Sequence, residues 1–184
     1  NVPIASVTQI NPPAAPPVVW TGSIVANAML TRGNTDTDSL GMTLDAMRRA
    51  TMDRITLKAT YLYGRQEDPD TGDMVVTTDN WLLMGKYDYF FNKKFYAYGI
   101  TTVERDRIAE LDLRLAPGGG VGYQWHESPK WNFFTEAGLN WVYEKYENSD
   151  ESESHFAARL AYHYDRRLSD DVTLFHNQEY LPSV

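Results

Sequence analysis

The sequence predicts an all-β fold, a transmembrane antiparallel up-and-down β-barrel of a bacterial outer membrane, and three observations predict it. Apolar and polar residues alternate from Trp20 to about Tyr180, and period-two alternation is the mark of a strand, whose successive side chains point to opposite faces. In residues 130–145, Trp131, Phe133, Ala137, Leu139, Trp141 and Tyr143 fall on one face; Asn132, Glu136, Gly138, Asn140 and Glu144 fall on the other, with Phe134 and Val142 as exceptions. The alternating stretches exceed the 5–6 residues or so of an ordinary strand and reach the roughly 9–11 that a tilted strand needs to cross a bilayer. Finally, short turns alternate with longer, charged loops, as the periplasmic turns and outer loops of such barrels do.

Nine strands follow in order. The first is 18–31, leading into loop 32–38; the second is 39–49, closed by a short turn at 50–53. The third is 54–65, before the acidic loop 66–73; the fourth is 74–91, with a tight turn at Asn92–Lys93. Next come 94–104 with loop 105–110, then 111–126 with a turn at Glu127–Pro129. The last three are 130–146, 154–165 and 171–181, joined by the acidic loop 147–153 and a turn at 166–170. Residues 1–17 precede them, rich in proline and uncharged, and read as an extended periplasmic tail unable to join a sheet ladder. Residues 18–184 then form the barrel domain.

Alternation assigns the faces. Trp20, Ile24, Ala26, Ala28 and Leu30 should meet lipid, with Leu40, Met42, Leu44, Ile55, Leu57, Ala59, Tyr61 and Tyr63. So should Trp81, Leu83, Tyr87, Tyr89, Leu113, Leu115, Val121, Tyr123, Trp125, Phe156, Ala158, Leu160, Tyr162 and Tyr164. The opposite face carries charges of both signs: Asp45, Lys58, Lys86, Asp88, Arg114, Glu136, Arg159, His163 and Asp165. The fifth and ninth strands do not sort by this rule.

Composition agrees. Mean hydropathy is −0.48, and no apolar run of about 18 residues exists, so a transmembrane helix is excluded; a barrel's polar interior dilutes hydropathy in any case. Tyr (12) and Trp (5) suit interfacial girdles. Cys is absent, which removes disulfides and thiolate chemistry. A net charge of −8 argues against nucleic acid as a partner. Nine strands would leave an unpaired edge in hydrocarbon, and single-chain bacterial barrels have even strand numbers. The expectation is that C-terminal strands are missing from this chain.

The run Glu104-Arg105-Asp106-Arg107-Ile108-Ala109-Glu110-Leu111-Asp112-Leu113-Arg114, leading into Gly118-Gly119-Gly120-Val121-Gly122-Tyr123, resembles the signature of the DUF481 family, described as salt-induced outer-membrane proteins. Trp20-Thr21-Gly22-Ser23 with Arg32-Gly33-Asn34-Thr35-Asp36, Glu136-Ala137-Gly138-Leu139, and Asn177-Gln178-Glu179-Tyr180-Leu181-Pro182 are similar to its other segments. The resemblance implies a barrel of about twelve strands and no transferable catalytic residue.

Candidate sites follow from charge and spacing. Lys58, Lys86, Asp88, Arg114, Glu136 and Arg159 are the charges expected in the lumen. Glu104, Arg105, Asp106 and Arg107, near Glu110 and Asp112, form the densest cluster; they read as a salt-bridge network fastening a loop to the outer rim, or as a selectivity ring. Gly118, Gly120 and Gly122 repeat on the inward face, where they allow tight curvature or leave room for a large neighbour such as Phe134. Glu67, Asp68, Asp70 and Asp73 offer oxygens to Ca²⁺ but lack the spacing of a calcium loop, so a solvated acidic loop is the expectation. His126-Glu127-Ser128 invites comparison with a hydrolase triad, yet it falls in a turn beside Pro129. No metal or cofactor is expected. The function expected is non-enzymatic: a narrow pore or an envelope-stress structural protein, in contact with lipid and lipopolysaccharide. A scaffold for other envelope proteins, or a lipid-modifying enzyme, is the alternative.

Overall fold

The computed structural model describes residues 18–148 and 151–184. All nine strands form: β1 (Trp20–Thr31), β2 (Thr37–Arg49), β3 (Asp53–Glu67), β4 (Met74–Phe90), β5 (Phe95–Asp106), β6 (Leu111–Glu127), β7 (Trp131–Tyr146), β8 (Ser152–Arg167) and β9 (Thr173–Tyr180). They pair in chain order as one antiparallel up-and-down sheet, curled into a half-barrel, and the described residues contain no helix. The proline-rich segment 1–17 and Asp150 lie outside the described residues.

Alternation located each strand within a few residues, but the strands run further into the expected loops. β2 begins at Thr37, β3 reaches Glu67 and β8 spans Ser152–Arg167. The connections after odd strands (32–36, 68–73, 107–110, 147–151) are therefore hardly longer than those after even strands (50–52, 91–94, 128–130, 168–172). Polar residues such as Thr37 and Arg65 continue the ladder because hairpin pairing satisfies their backbone groups whatever their side chains. What distinguishes the two ends is charge. The end formed by the connections after odd strands is acidic and is called the loop end below; the other is the turn end.

Register fixes the faces. The concave face is lined by Arg54, Thr56, Lys58, Met84, Lys86, Ile100, Phe134, Glu136, Arg159 and their neighbours. Leu40, Leu57, Leu83, Tyr87, Val121, Trp125, Leu139, Phe156 and Leu160 stand exposed on the convex face, as alternation expects. β5, unsorted by sequence, buries Tyr96, Tyr98 and Ile100 on the concave side, where they pack with Phe90, Met84 and Phe134. A second apolar cluster, Ala116, Val142 and Ala157, explains why Val142 breaks the pattern of β7.

Two local devices shape this interior. A Cβ at Gly122 would overlap the Tyr96 ring, and all three atoms nearest to it belong to that side chain. The large neighbour seated on the glycine row is thus Tyr96, with Tyr98 over Gly120 and Gly138, and Asn140 at Gly118; Phe134 instead meets Tyr96 edge-on at 6.4 Å. A bulge between Gln124 and His126 inverts the alternation, so Glu127 faces inward and pairs with Asn132. At the far end, Ser183 resumes pairing with Ala157 beyond Pro182.

Candidate functional site on the concave face

Four of the six expected lumen charges meet in one network, together with two that sequence reasoning missed. Arg54 Nε donates to Asp88 Oδ2 at 2.5 Å, and Lys86 Nζ reaches Asp88 Oδ1 at 2.6 Å. Lys86 also bonds Glu136, crossing from β4 to β7 over the tyrosines of β5. Arg159 bridges Glu136 at 2.8 Å and Glu179 of β9 at 2.8 Å, and the Tyr96 hydroxyl donates to Glu136 at 2.7 Å. Three cations thus offset three carboxylates. Asp88 and Glu136 are essentially inaccessible, at 0% and 1% side-chain exposure, so each needs its partners: an unpaired buried charge is far costlier than a paired one.

The rings complete the packing. The Arg54 guanidinium carbon lies 4.8 Å from the Phe134 ring centre and 5.2 Å from that of Tyr96; Lys86 sits 4.9 Å above Tyr98, and Arg159 lies 5.1 Å from the same ring. Such faces attract cations and exclude water from the ion pairs. Towards the turn end, Arg49 crosses the concavity to Glu127 at 3.1 Å and covers Phe90 at 3.9 Å. The space left over, about 780 Å³, lies between the network and strands β1, β2 and β9, lined also by Thr21, Ser23, Thr56, Asn132 and Asn177.

The other two expected lumen charges stand apart. Lys58 is half-exposed, 3.8 Å from Asp45. Arg114 is clamped between Glu144 at 2.6 Å and Glu104 at 3.1 Å near the loop end. Arg54 could have been found in the sequence, since it shares the parity of Thr56 and Lys58 on β3. Glu179 could not, because β9 did not sort.

Among the described residues the dense cluster 104–107 divides among separate partners. Glu104 turns inward to Arg114, Arg105 pairs with Glu147 at 2.8 Å, Asp106 accepts the Ile108 and Ala109 amides, and Arg107 faces Asp79 at 3.7 Å. These contacts fasten the β5–β6 loop to its neighbours. In the β3–β4 loop, Glu67 accepts the Asp36 amide and Asp68 the Asp70 amide. Asp70 and Asp73 join that loop through their backbones, not their carboxylates, and the described residues hold no group of His, Asp and Glu placed to bind a metal. At the β6–β7 turn the Ser128 hydroxyl both donates to the Trp131 carbonyl at 2.9 Å and accepts its amide at 3.0 Å. His126 is 3.2 Å from that hydroxyl, but Glu127 is turned away to Arg49, so the three do not form a relay.

Compared with known proteins, residues 24–184 match the family model described as "Protein of unknown function, DUF481". No curated protein matches the chain, and no solved structure does.

Proposed function

The chain belongs to the DUF481 family, and from that premise we propose that it is a non-enzymatic outer-membrane β-barrel whose lumen is narrowed to a small pore by the network of Arg54, Asp88, Lys86, Glu136, Arg159 and Glu179. The observation that carries this reading is the contrast between the two faces of one sheet. Strand β7 presents Trp131 and Phe133 near the turn end of its convex face, then Leu139, then Trp141 and Tyr143 near the loop end. From the middle of one aromatic pair to the middle of the other is about 34 Å along the strand, or about 25 Å upright at a barrel's usual tilt, which matches the apolar band between aromatic girdles. β3 and β4 also carry aromatics at two levels, Tyr61, Tyr63 and Trp81 at one and Tyr87 and Tyr89 at the other, a shorter span of about 27 Å along the strands.

In this reading the convex face meets lipid, the acidic loop end faces outward and the turn end faces the periplasm. Among the described residues, β1 and β9 each keep one edge without a partner strand. Hydrocarbon does not tolerate unpaired backbone groups, and a closed barrel of about twelve strands, as the family resemblance implies, would satisfy both edges. The pore then runs beside the network, where Thr21, Ser23, Thr56, Asn132 and Asn177 line the remaining space together with the charged Asp45 and Lys58.

The test is conductance of the full-length protein in a planar bilayer. The expected record shows small stepwise openings that enlarge in Lys86→Met, which cuts the link between β4 and β7. A wide-pore conductance indifferent to Lys86→Met contradicts the narrowing.

A further inference from the structure

Among the described residues, all of the 17 Lys and Arg side chains but Lys93, Lys94, Lys130, Arg166 and Arg167 stand at ion-pair distance from a carboxylate. Every one of those five exceptions lies at the turn end, exposed. Surplus positive charge is therefore confined to one rim of a chain whose net charge is −8. The acids of that rim are mostly occupied: Asp53 holds Arg48, Glu127 holds Arg49, and Asp165 faces His163 and Asn132. Asp170 and Asp171, in the β8–β9 turn, make no ion pair with these cations among the described residues.

Three of the five cations converge. Lys130, Arg166 and Arg167, with His126, Ser128 and Trp131, line a hollow of about 320 Å³ between the β6–β7 and β8–β9 turns. Its shape is fixed by bonds of the fold. The Arg167 amide donates to the Lys130 carbonyl at 2.8 Å, Trp131 and Arg166 are register partners, and the His126 ring stacks on Trp131 at 4.3 Å. The hollow borders the aromatic belt of Trp125, Phe133 and Tyr164, whose rings contact one another on the convex face. Aromatic belts sit at headgroup level, and arginine forks suit phosphate oxygens.

We propose that this hollow binds the phosphate of an anionic phospholipid headgroup in the leaflet at the turn end. The inference rests on the membrane reading above. Trp131 and His126 wall the site, Lys130, Arg166 and Arg167 supply its charge, and the acyl chains lie along the convex face toward Leu139.

The full-length protein, folded in neutral detergent micelles, is titrated calorimetrically with short-chain phosphatidylglycerol, short-chain phosphatidylcholine and inorganic phosphate. Phosphatidylglycerol is expected to bind at least about tenfold tighter than phosphatidylcholine. Lys130→Gln should weaken it about fivefold, and the triple variant with Arg166→Gln and Arg167→Gln of order a hundredfold. Arg65→Gln, at the loop end, should change nothing. Equal affinity for the two lipids, an unaffected triple variant, or an equal loss in Arg65→Gln overturns the site. Inorganic phosphate binding as tightly as phosphatidylglycerol overturns the lipid as its source. Gel migration of unheated against boiled samples separates the two readings: no shift contradicts the barrel itself, whereas a shift without lipid preference contradicts only the headgroup site.

Discussion

Gly122→Ala is the most informative small perturbation of the interior. The added methyl overlaps the Tyr96 ring, which is completely buried and touches Phe90 at 4.7 Å between ring centres. Overpacking of this kind costs about 1–3 kcal/mol, and pushing the ring aside also weakens the Tyr96–Glu136 bond, a hydrogen bond to a charged group worth about 1.5–3 kcal/mol. We expect a loss of about 3–5 kcal/mol. Tyr96→Ala alone should cost about as much, from the cavity left by the ring. The two changes are strongly coupled, because removing the ring frees the space the methyl needs. The double variant should therefore fall about 2–3 kcal/mol short of the sum of the singles. The assay is equilibrium unfolding in guanidinium of the full-length protein refolded into lipid vesicles, followed by intrinsic fluorescence. Additive losses would refute the seating of Tyr96 on the glycine row.

Other expectations follow from the same geometry. Lys86→Met leaves Glu136 with Arg159 and Tyr96 but strips a buried pair of its shared cation, and should cost about 3–5 kcal/mol in the same assay; adding Glu136→Gln should recover part of it. Leu139→Arg, on the exposed convex face near mid-strand, should cost about 2–4 kcal/mol in a bilayer, measured by refolding yield and unfolding midpoint. A protease site inserted at Asp70–Thr71 should be cut on intact cells, and one at Asn92–Lys93 only after the outer membrane is breached; the reverse pattern inverts the orientation.

The strands and their faces were legible because pleat geometry leaves a period of two in the sequence, and a long strand repeats it many times. Leu83, Lys86 and Tyr87 could be assigned from their neighbours on β4 alone. β5 resisted because Tyr96, Tyr98 and Ile100 are apolar residues turned inward, and alternation cannot tell an apolar core from a lipid face. The glycine row on β6 was the available clue, but register was needed to show that Tyr96 of β5, and not Phe134 of β7, sits at Gly122. Glu127 was hidden by the bulge at Gln124–His126, which shifts parity without any composition signal. Pairing partners in the charge network were equally out of reach, since Lys86 and Glu136 meet only through the curl of the sheet.

The central claim, that the apolar convex face meets lipid, is tested most directly with a single introduced thiol, which this cysteine-free chain permits. Leu139→Cys in outer-membrane vesicles should resist a water-soluble maleimide until denaturation in detergent releases it, because a thiol in hydrocarbon stays protonated, while Thr71→Cys in the β3–β4 loop should react at once. Equal, rapid labelling of both positions by the water-soluble reagent would contradict the account.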